Sequence, residues 1–203
     1  PKGNTLIITP WNYPFQLPIV HLAGSIAAGN TVILKLSEFT PHINKVIKEL
    51  LADLFDKNHV AVLEGEVEET THVLKLKFDQ IHFTGSPAVG KIIMEAAAKH
   101  LTDITLELGG KSPVFVDKNI NIKEVARNLI WAKFVNMGQT CIAPDYLLVD
   151  KSIEKDFDNA IQEEIRNAFG DNPRESNDLA RIINQKQYDR MINYLDELEN
   201  SNT

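Results

Sequence analysis

The 203 residues include one cysteine, Cys141, in the run Gly138-Gln139-Thr140-Cys141-Ile142-Ala143-Pro144. Glycine and glutamine before it and proline after it predict a loop with close backbone approach. A thiol held there is placed to attack a carbonyl carbon. A free thiol has a pKa of about 8.5, so such a site has to favour the thiolate. Upstream stands Leu106-Glu107-Leu108-Gly109-Gly110-Lys111. A glutamate between leucines at the end of an apolar strand is expected to be half-buried, in the setting of a general base. Nucleophile and proton-moving carboxylate together make covalent carbonyl chemistry. The plain alternatives are a buried structural cysteine and a strand-end glutamate in a salt bridge.

Three further runs carry groups that could serve such a site. In Phe83-Thr84-Gly85-Ser86-Pro87-Ala88-Val89-Gly90-Lys91 a strand enters Gly85 and a helix opens near Pro87. Proline is welcome in a first helical turn. The free N–H groups of that turn attract phosphate, and Ser86 adds a hydroxyl. A tight βα turn without ligand is the equal alternative. Gly85 to Lys91 also fits G-x-x-x-x-G-K, the start of a P-loop, although Ile92 stands where Ser or Thr would hold magnesium. A nucleotide-hydrolysing or phosphate-binding domain is therefore the rival class. Lys35-Leu36-Ser37-Glu38 stands at the end of a strand, where a carboxylate can accept both ribose hydroxyls and a lysine can reach their oxygens; a surface lysine and a helix-capping Ser-Glu are the favoured alternative on this run alone. Asn12, in Pro10-Trp11-Asn12-Tyr13-Pro14, either aims an amide donor at a developing oxyanion or caps the next helix.

These runs need a scaffold. Short, continuous apolar runs recur at Leu6-Ile7-Ile8, Val32-Ile33-Leu34, Val60 to Leu63, Ile81-His82-Phe83 and Ile104 to Leu108. Continuous apolarity suits strands covered on both faces, as in a parallel sheet. Helical stretches alternate with them over Phe15 to Ala28, Pro41 to Phe55, Val67 to Lys75 and Pro87 to His100. That rhythm predicts a doubly wound, mostly parallel α/β sheet, with the strand order left open. Beyond Gly110 the chain predicts a strand at Val114 to Val116, a helix from Ile122 to about Asn136, and a strand at Tyr146 to Val149. Two amphipathic helices follow, with apolar stripes Ile153, Phe157, Ile161, Ile165 and Tyr188, Met191, Ile192, Leu195, Leu198. Their charges read as solvated faces. A domain boundary is expected near Gly109-Gly110.

Composition narrows the classes. The chain is 43% hydrophobic, enough for a sizeable core, and its net charge of −7 argues against nucleic-acid binding. No apolar run reaches the length of a membrane span. A lone cysteine makes no internal disulfide, which predicts a reducing, cytoplasmic location. The six histidines lack ligand spacing, so no metal site is expected. The chain begins at Pro1 and ends in a polar, helix-like tail from Asp196 to Thr203, so it reads as a piece of something longer.

With these runs in one order, the chain resembles the aldehyde dehydrogenase superfamily along nearly its whole length. Residues 90 to 101 and 138 to 146 look most like the class 3 branch. The resemblance implies a Rossmann-like cofactor domain, partial, over 1–109 and part of an α/β catalytic domain over 110–203. It implies Cys141 as nucleophile, Asn12 and the Cys141 N–H as oxyanion hole, and Glu107 as general base. Lys35 and Glu38 would hold the adenosine ribose, Gly85 and Ser86 would lie against the pyrophosphate with the turn from Ser86 to Gly90 opening the helix beneath it, and Leu108 and Gly109 would lie beside the nicotinamide. The implied reaction is NAD-dependent oxidation of an aldehyde to an acid through a cysteine thioester, with NADP as a second cofactor and a homodimeric parent. Medium-chain aliphatic or aromatic aldehydes are the implied substrates. The family usually has proline where Leu36 stands, and its later Glu-Ile-Phe-Gly-Pro-like run is absent. A catalytically incompetent NAD-binding fragment is thus the third reading.

Overall fold

Leu6 and Ile8 of strand β1 (Asn4–Ile8) join one apolar cluster and Ile7 joins another, and all three are buried. This is how a continuous apolar run behaves when helices cover both faces of its sheet. The computed structural model in which this is seen describes residues 1–201, so the last two residues of the expected tail lie outside the described residues. The chain divides into two units, Pro1–Gly109 and Gly110–Thr203.

In the first unit β1 is followed by α1 (Gln16–Ala27), β2 (Thr31–Lys35), α2 (Pro41–Leu54), β3 (Val60–Leu63), α3 (Val67–Val73), β4 (Gln80–Thr84), α4 (Pro87–Ala98) and β5 (Asp103–Glu107). The strands form one parallel sheet in the order β3-β2-β1-β4-β5. The doubly wound expectation holds, and the strand order is now fixed. On one face Leu22 of α1 and Ile47 and Leu51 of α2 pack with Ile7, Val32, Leu34 and Val60. On the other, Val73 of α3 and Ile93 and Ala97 of α4 pack with Leu6, Ile8, Ile81 and Phe83. Each fully buried aliphatic side chain stabilises by about 1.5–3 kcal/mol.

The expectation of two-sided apolarity does not extend to β4 and β5. Ile81, Phe83, Ile104 and Leu106 belong to the face that α4 covers. Gln80, His82 and Thr84 alternate with them on β4, and Asp103, Thr105 and Glu107 do so on β5. The far half of the sheet is therefore polar on one face. Leu36 has a consequence of its own. Its side chain is buried at 1% exposure, and its N–H donates to the Leu63 carbonyl at 3.1 Å. A proline has no such donor, so this chain extends the β2–β3 pairing by one bond.

In the second unit β6 (Ser112–Val116) pairs in parallel with β7 (Pro144–Val149). Between them lie α5 (Ile122–Phe134) and a short turn over Val135–Gly138, and after them α6 (Glu154–Phe169) and α7 (Gln185–Ser201). Val116, Ala126, Leu129, Phe157 and Ala160 form the core where α6 meets α5 and the strands. The helical period placed α7 correctly, but none of its residues is buried. Tyr188 is 48% and Leu198 59% exposed. Periodicity sets the helix, whereas burial needs a facing element.

Candidate functional site

The strand order reverses between β1 and β4, with β2 on one side of the pair and β5 on the other. In open α/β sheets a crevice forms beyond the carboxyl ends of the strands at such a reversal. Asn12 follows β1, Lys35 and Glu38 end and follow β2, Gly85 and Ser86 follow β4, and Glu107 ends β5. The first unit thus brings the segments of these residues to one edge of one sheet. Cys141 belongs to the second unit.

Asn12 sits in the bend between β1 and α1, half-buried, with its side-chain oxygen buried. The helix-capping alternative does not apply, because the residue at the α1 N-cap is Phe15 and no side chain caps it.

Ser86 is the N-cap of α4. Its Oγ accepts the Val89 N–H at 3.3 Å, and Pro87 follows in the first turn. Gly85 donates its N–H to the Glu107 carbonyl at 3.0 Å. A Cβ at Gly85 would collide with the Phe83 ring, so glycine here answers to packing. Gly90 is buried in α4, and a Cβ there would lie 3.1 Å from Leu108 Cδ2. Its place is the inner face of the first turns of the helix that Ser86 opens. The P-loop alternative is corrected: β4 ends at Thr84 and α4 begins at Pro87, so helix already occupies the stretch that a P-loop needs as an open cradle.

Lys35 is 3% exposed, an unusual place for an ammonium. Its Nζ donates to the Leu36 carbonyl at 2.7 Å and stands 3.5 Å from Glu38 Oε2. A carboxylate held against a buried cation is a fixed, oriented acceptor. Glu69, in the capping box of α3, has its carboxyl held below the usual range by the backbone N–H groups of Glu69 and Glu66 and, less strongly, by Lys35.

Glu107 is exposed, with burial pattern and position at the β5 terminus agreeing. The expected half-buried setting is not observed, because its face of β5 carries no apolar cover. Thr84 is its register partner on β4. Leu108 packs against the core cluster under α4, and Gly109 has open space where a side chain would be. Sequence reasoning missed two neighbours. The rings of His21 and His82 meet on this polar face, and the Glu107 charge reaches His21. A cavity of about 210 Å³, lined by both histidines, Thr5, Ser25, Asn30 and Gln80, opens beside them. The alternation of polar residues along β4 was the available signal. A larger groove, about 700 Å³ between β3 and α3, contains none of the expected site residues.

Cys141 is exposed. It lies in a turn closed by the Ala143 N–H on the Thr140 carbonyl at 3.1 Å. A Cβ at Gly110 would come within 2.9 Å of the Cys141 carbonyl oxygen, so the glycine after Gly109 makes room for this turn. The helix expected to run to about Asn136 stops at Phe134, because Val135 turns out of helical geometry with ψ of 127°, and Asn136 and Met137 then enter the left-handed region. Gln139, missed as more than a loop residue, bonds both to this turn and to the segment before α7. Among the described residues no group of three His, Cys, Asp or Glu side chains could hold a metal ion, and no helix is long and apolar enough to cross a membrane.

The aldehyde dehydrogenase family pattern matches residues 1–203. "Aldehyde dehydrogenase, dimeric NADP-preferring" of Mus musculus is 48% identical over 196 residues, which are 97% of this chain and 43% of that protein. The substrate-bound structure of Staphylococcus aureus AldH superposes with a TM-score of 0.89 at 48% identity, over 97% of this chain and 43% of that one. The Mycobacterium tuberculosis aldehyde dehydrogenase complexed with NAD+ gives 0.88 at 26% identity, over 96% and 41%. The chain therefore spans about two-fifths of the length of these relatives.

Proposed function

The chain belongs to the aldehyde dehydrogenase family, and on that premise we propose that it carries the nucleophile, base and dinucleotide-binding edge of an enzyme oxidising an aldehyde to a carboxylic acid. The observation that carries the reading is the common edge of the parallel sheet, where the segments of Asn12, Lys35–Glu38, Gly85–Ser86 and Glu107 all emerge.

That edge suits a dinucleotide. The paired Lys35 and Glu38 offer a fixed acceptor to a ribose diol. The start of α4 offers backbone N–H groups to a pyrophosphate, and the open space at Gly109 admits a flat ring. When bound, NAD supplies the acceptor for the hydride that leaves the substrate carbon. Glu38 disfavours a 2′-phosphate, so NAD is preferred and NADP is the second cofactor.

The chain's own residues do the rest. The Cys141 thiolate adds to the aldehyde carbon, and the carbonyl electron pair moves to oxygen. The Asn12 amide and the Cys141 N–H stabilise that oxyanion. Collapse restores the C=O as hydride departs, leaving a thioester on Cys141. Glu107 takes a proton from water, and the hydroxide attacks the thioester. The acid leaves, and the thiolate is regenerated. A thiolate that works in this way needs a reducing compartment, which supports a cytoplasmic location. The mouse relative's dimeric name supports a homodimeric parent.

Calorimetric titration of NAD into the chain, with ATP–magnesium as competitor, tests the cofactor edge. Mass spectrometry of a Glu107→Gln variant given an aldehyde and NAD tests the chemistry, with an acyl adduct expected on Cys141. Binding of ATP–magnesium in place of NAD would sink the reading. NAD binding that survives with no adduct would instead support a cofactor-binding fragment without chemistry.

A further inference from the structure

Asn136 and Met137 have φ of 52° and 56°, and Gly138 follows at 70°. The left-handed region costs most residues with a Cβ roughly 1–2 kcal/mol, although asparagine visits it more readily. Met137 therefore persists there only where its surroundings over-determine it. Gln139 supplies those surroundings. Its Nε2 donates to the Asn136 carbonyl at 3.0 Å and to the Arg181 carbonyl at 3.1 Å. Its Oε1 accepts the Ile183 N–H at 3.0 Å. One carboxamide thus closes the left-handed turn and ties it to a segment 42 residues further on.

The far end of the tie is itself braced. The Arg181 guanidinium donates to the Arg174 carbonyl at 2.9 Å, to the Ser176 carbonyl at 3.1 Å, and to the carbonyl of Leu179. The segment between α6 and α7 is therefore gathered around one side chain. Cys141 lies two residues beyond Gln139, and its carbonyl is closely approached by Gly110 on the other side.

We propose that Gln139 is a positioning residue for Cys141, and that the segment between α6 and α7, gathered by Arg181, is the anchor against which it holds the nucleophile turn. The inference rests on the reading of Cys141 as nucleophile. A carboxamide suits the place because it presents two N–H donors to two carbonyls and one oxygen to an N–H. An ionised glutamate of the same shape has no donor and aims charge at two carbonyl oxygens. When protonated it regains one donor.

The test uses p-nitrophenyl acetate and this chain, without cofactor. The Cys141 thiolate attacks the acetyl carbon, p-nitrophenolate leaves with the electrons of the broken C–O bond, and an acetyl thioester remains. The p-nitrophenolate burst reads this step. Gln139→Ala is expected to slow the burst by about 10–100-fold, the loss that a misplacement of about 1 Å brings. Gln139→Glu is expected to be as slow near about pH 8. Relative to the unsubstituted chain at equal pH, it should recover as pH falls towards about 5, near the carboxyl range. Amide exchange at Ile183 is followed alongside, and should speed up in Gln139→Ala while the amides of α5 and α6 stay protected. An alanine variant that acylates at the unsubstituted rate, or a glutamate variant with no recovery on acidification, overturns the proposal. A burst that survives Cys141→Ala shows instead that the nucleophile reading is wrong. A burst lost in Cys141→Ala but unchanged in Gln139→Ala removes only the role of Gln139.

Discussion

The imidazole rings of His21, on α1, and His82, on β4, stand with centroids 3.8 Å apart and planes tilted by 39°. Two bases so close cannot both be protonated cheaply. Burial pushes His82 down to about 4, with the neighbouring His21 charge adding to the effect. Burial also lowers His21, partly offset by Glu107. His21 Nε2 is buried with no hydrogen-bond partner among the described residues, while His82 Nε2 is 3.4 Å from the Thr84 hydroxyl. A water in the adjoining cavity is the natural partner for the former.

This pair makes stability depend on pH. Both folded values lie below the unfolded value of about 6.5, so the unfolded chain binds protons first as pH falls. The histidine contribution is intact above about 6.5 and is lost between there and about 4. Each unit of depression is worth about 1.4 kcal/mol. Solvent reaches a good part of both rings, and discounting for that leaves about 1–2 kcal/mol. Urea midpoints measured from pH 7 to pH 5 should fall, and His82→Leu should flatten the trend. Glu107→Gln removes the charge that favours protonated His21, and should steepen it. A slope unchanged in His82→Leu would exclude the pair as its source.

Gly85→Ala should destabilise the first unit by about 1–3 kcal/mol, the usual cost of overpacking. The new methyl meets the ring of Phe83, which is 4% exposed and has no free side to turn to. Chemical denaturation reads the loss. A variant of undiminished stability would mean that α4 can shift away from β4.

Gly110→Ala should act differently. Its methyl meets a backbone oxygen, that of Cys141, at 2.9 Å, and a backbone cannot change rotamer to escape. Acylation by p-nitrophenyl acetate should fall more than stability does. Equal losses in both would mean that Gly110 serves folding alone.

Glu38→Gln should narrow the difference between NAD and NADP. The carboxylate is held 3.5 Å from Lys35 Nζ, and removing its charge frees that ammonium for a 2′-phosphate. Paired calorimetric titrations with the two cofactors measure the ratio. An unchanged ratio would place the discrimination elsewhere.

Much of the first unit was legible because helices cover both faces of β1 and β2, and Leu6-Ile7-Ile8 and Val32-Ile33-Leu34 record that directly. The bounds of α2 and α4 were marked by Pro41 and Pro87. The same logic misread Ile81-His82-Phe83, because a central polar residue in a short run marks a face without apolar cover. Glu107 was expected to be half-buried for the same reason. The left-handed turn at Asn136 and Met137 was invisible, since no residue type there demands it. It is bonded through Gln139 to a segment far along the chain, which no local pattern records. The α7 stripe shows the converse limit, a clear pattern whose burial depends on what faces it.

The reversal of strand order between β1 and β4 has an electrostatic consequence. Helix α1 leaves β1 and α4 leaves β4, so both begin beside the crevice with their amino termini towards it. Each terminus carries a partial positive charge of roughly half a proton. A chain of net charge −7 thereby acquires a local attraction for anions made from peptide dipoles. No ionisable group generates that field, so acid and base leave its source untouched, while added salt weakens it.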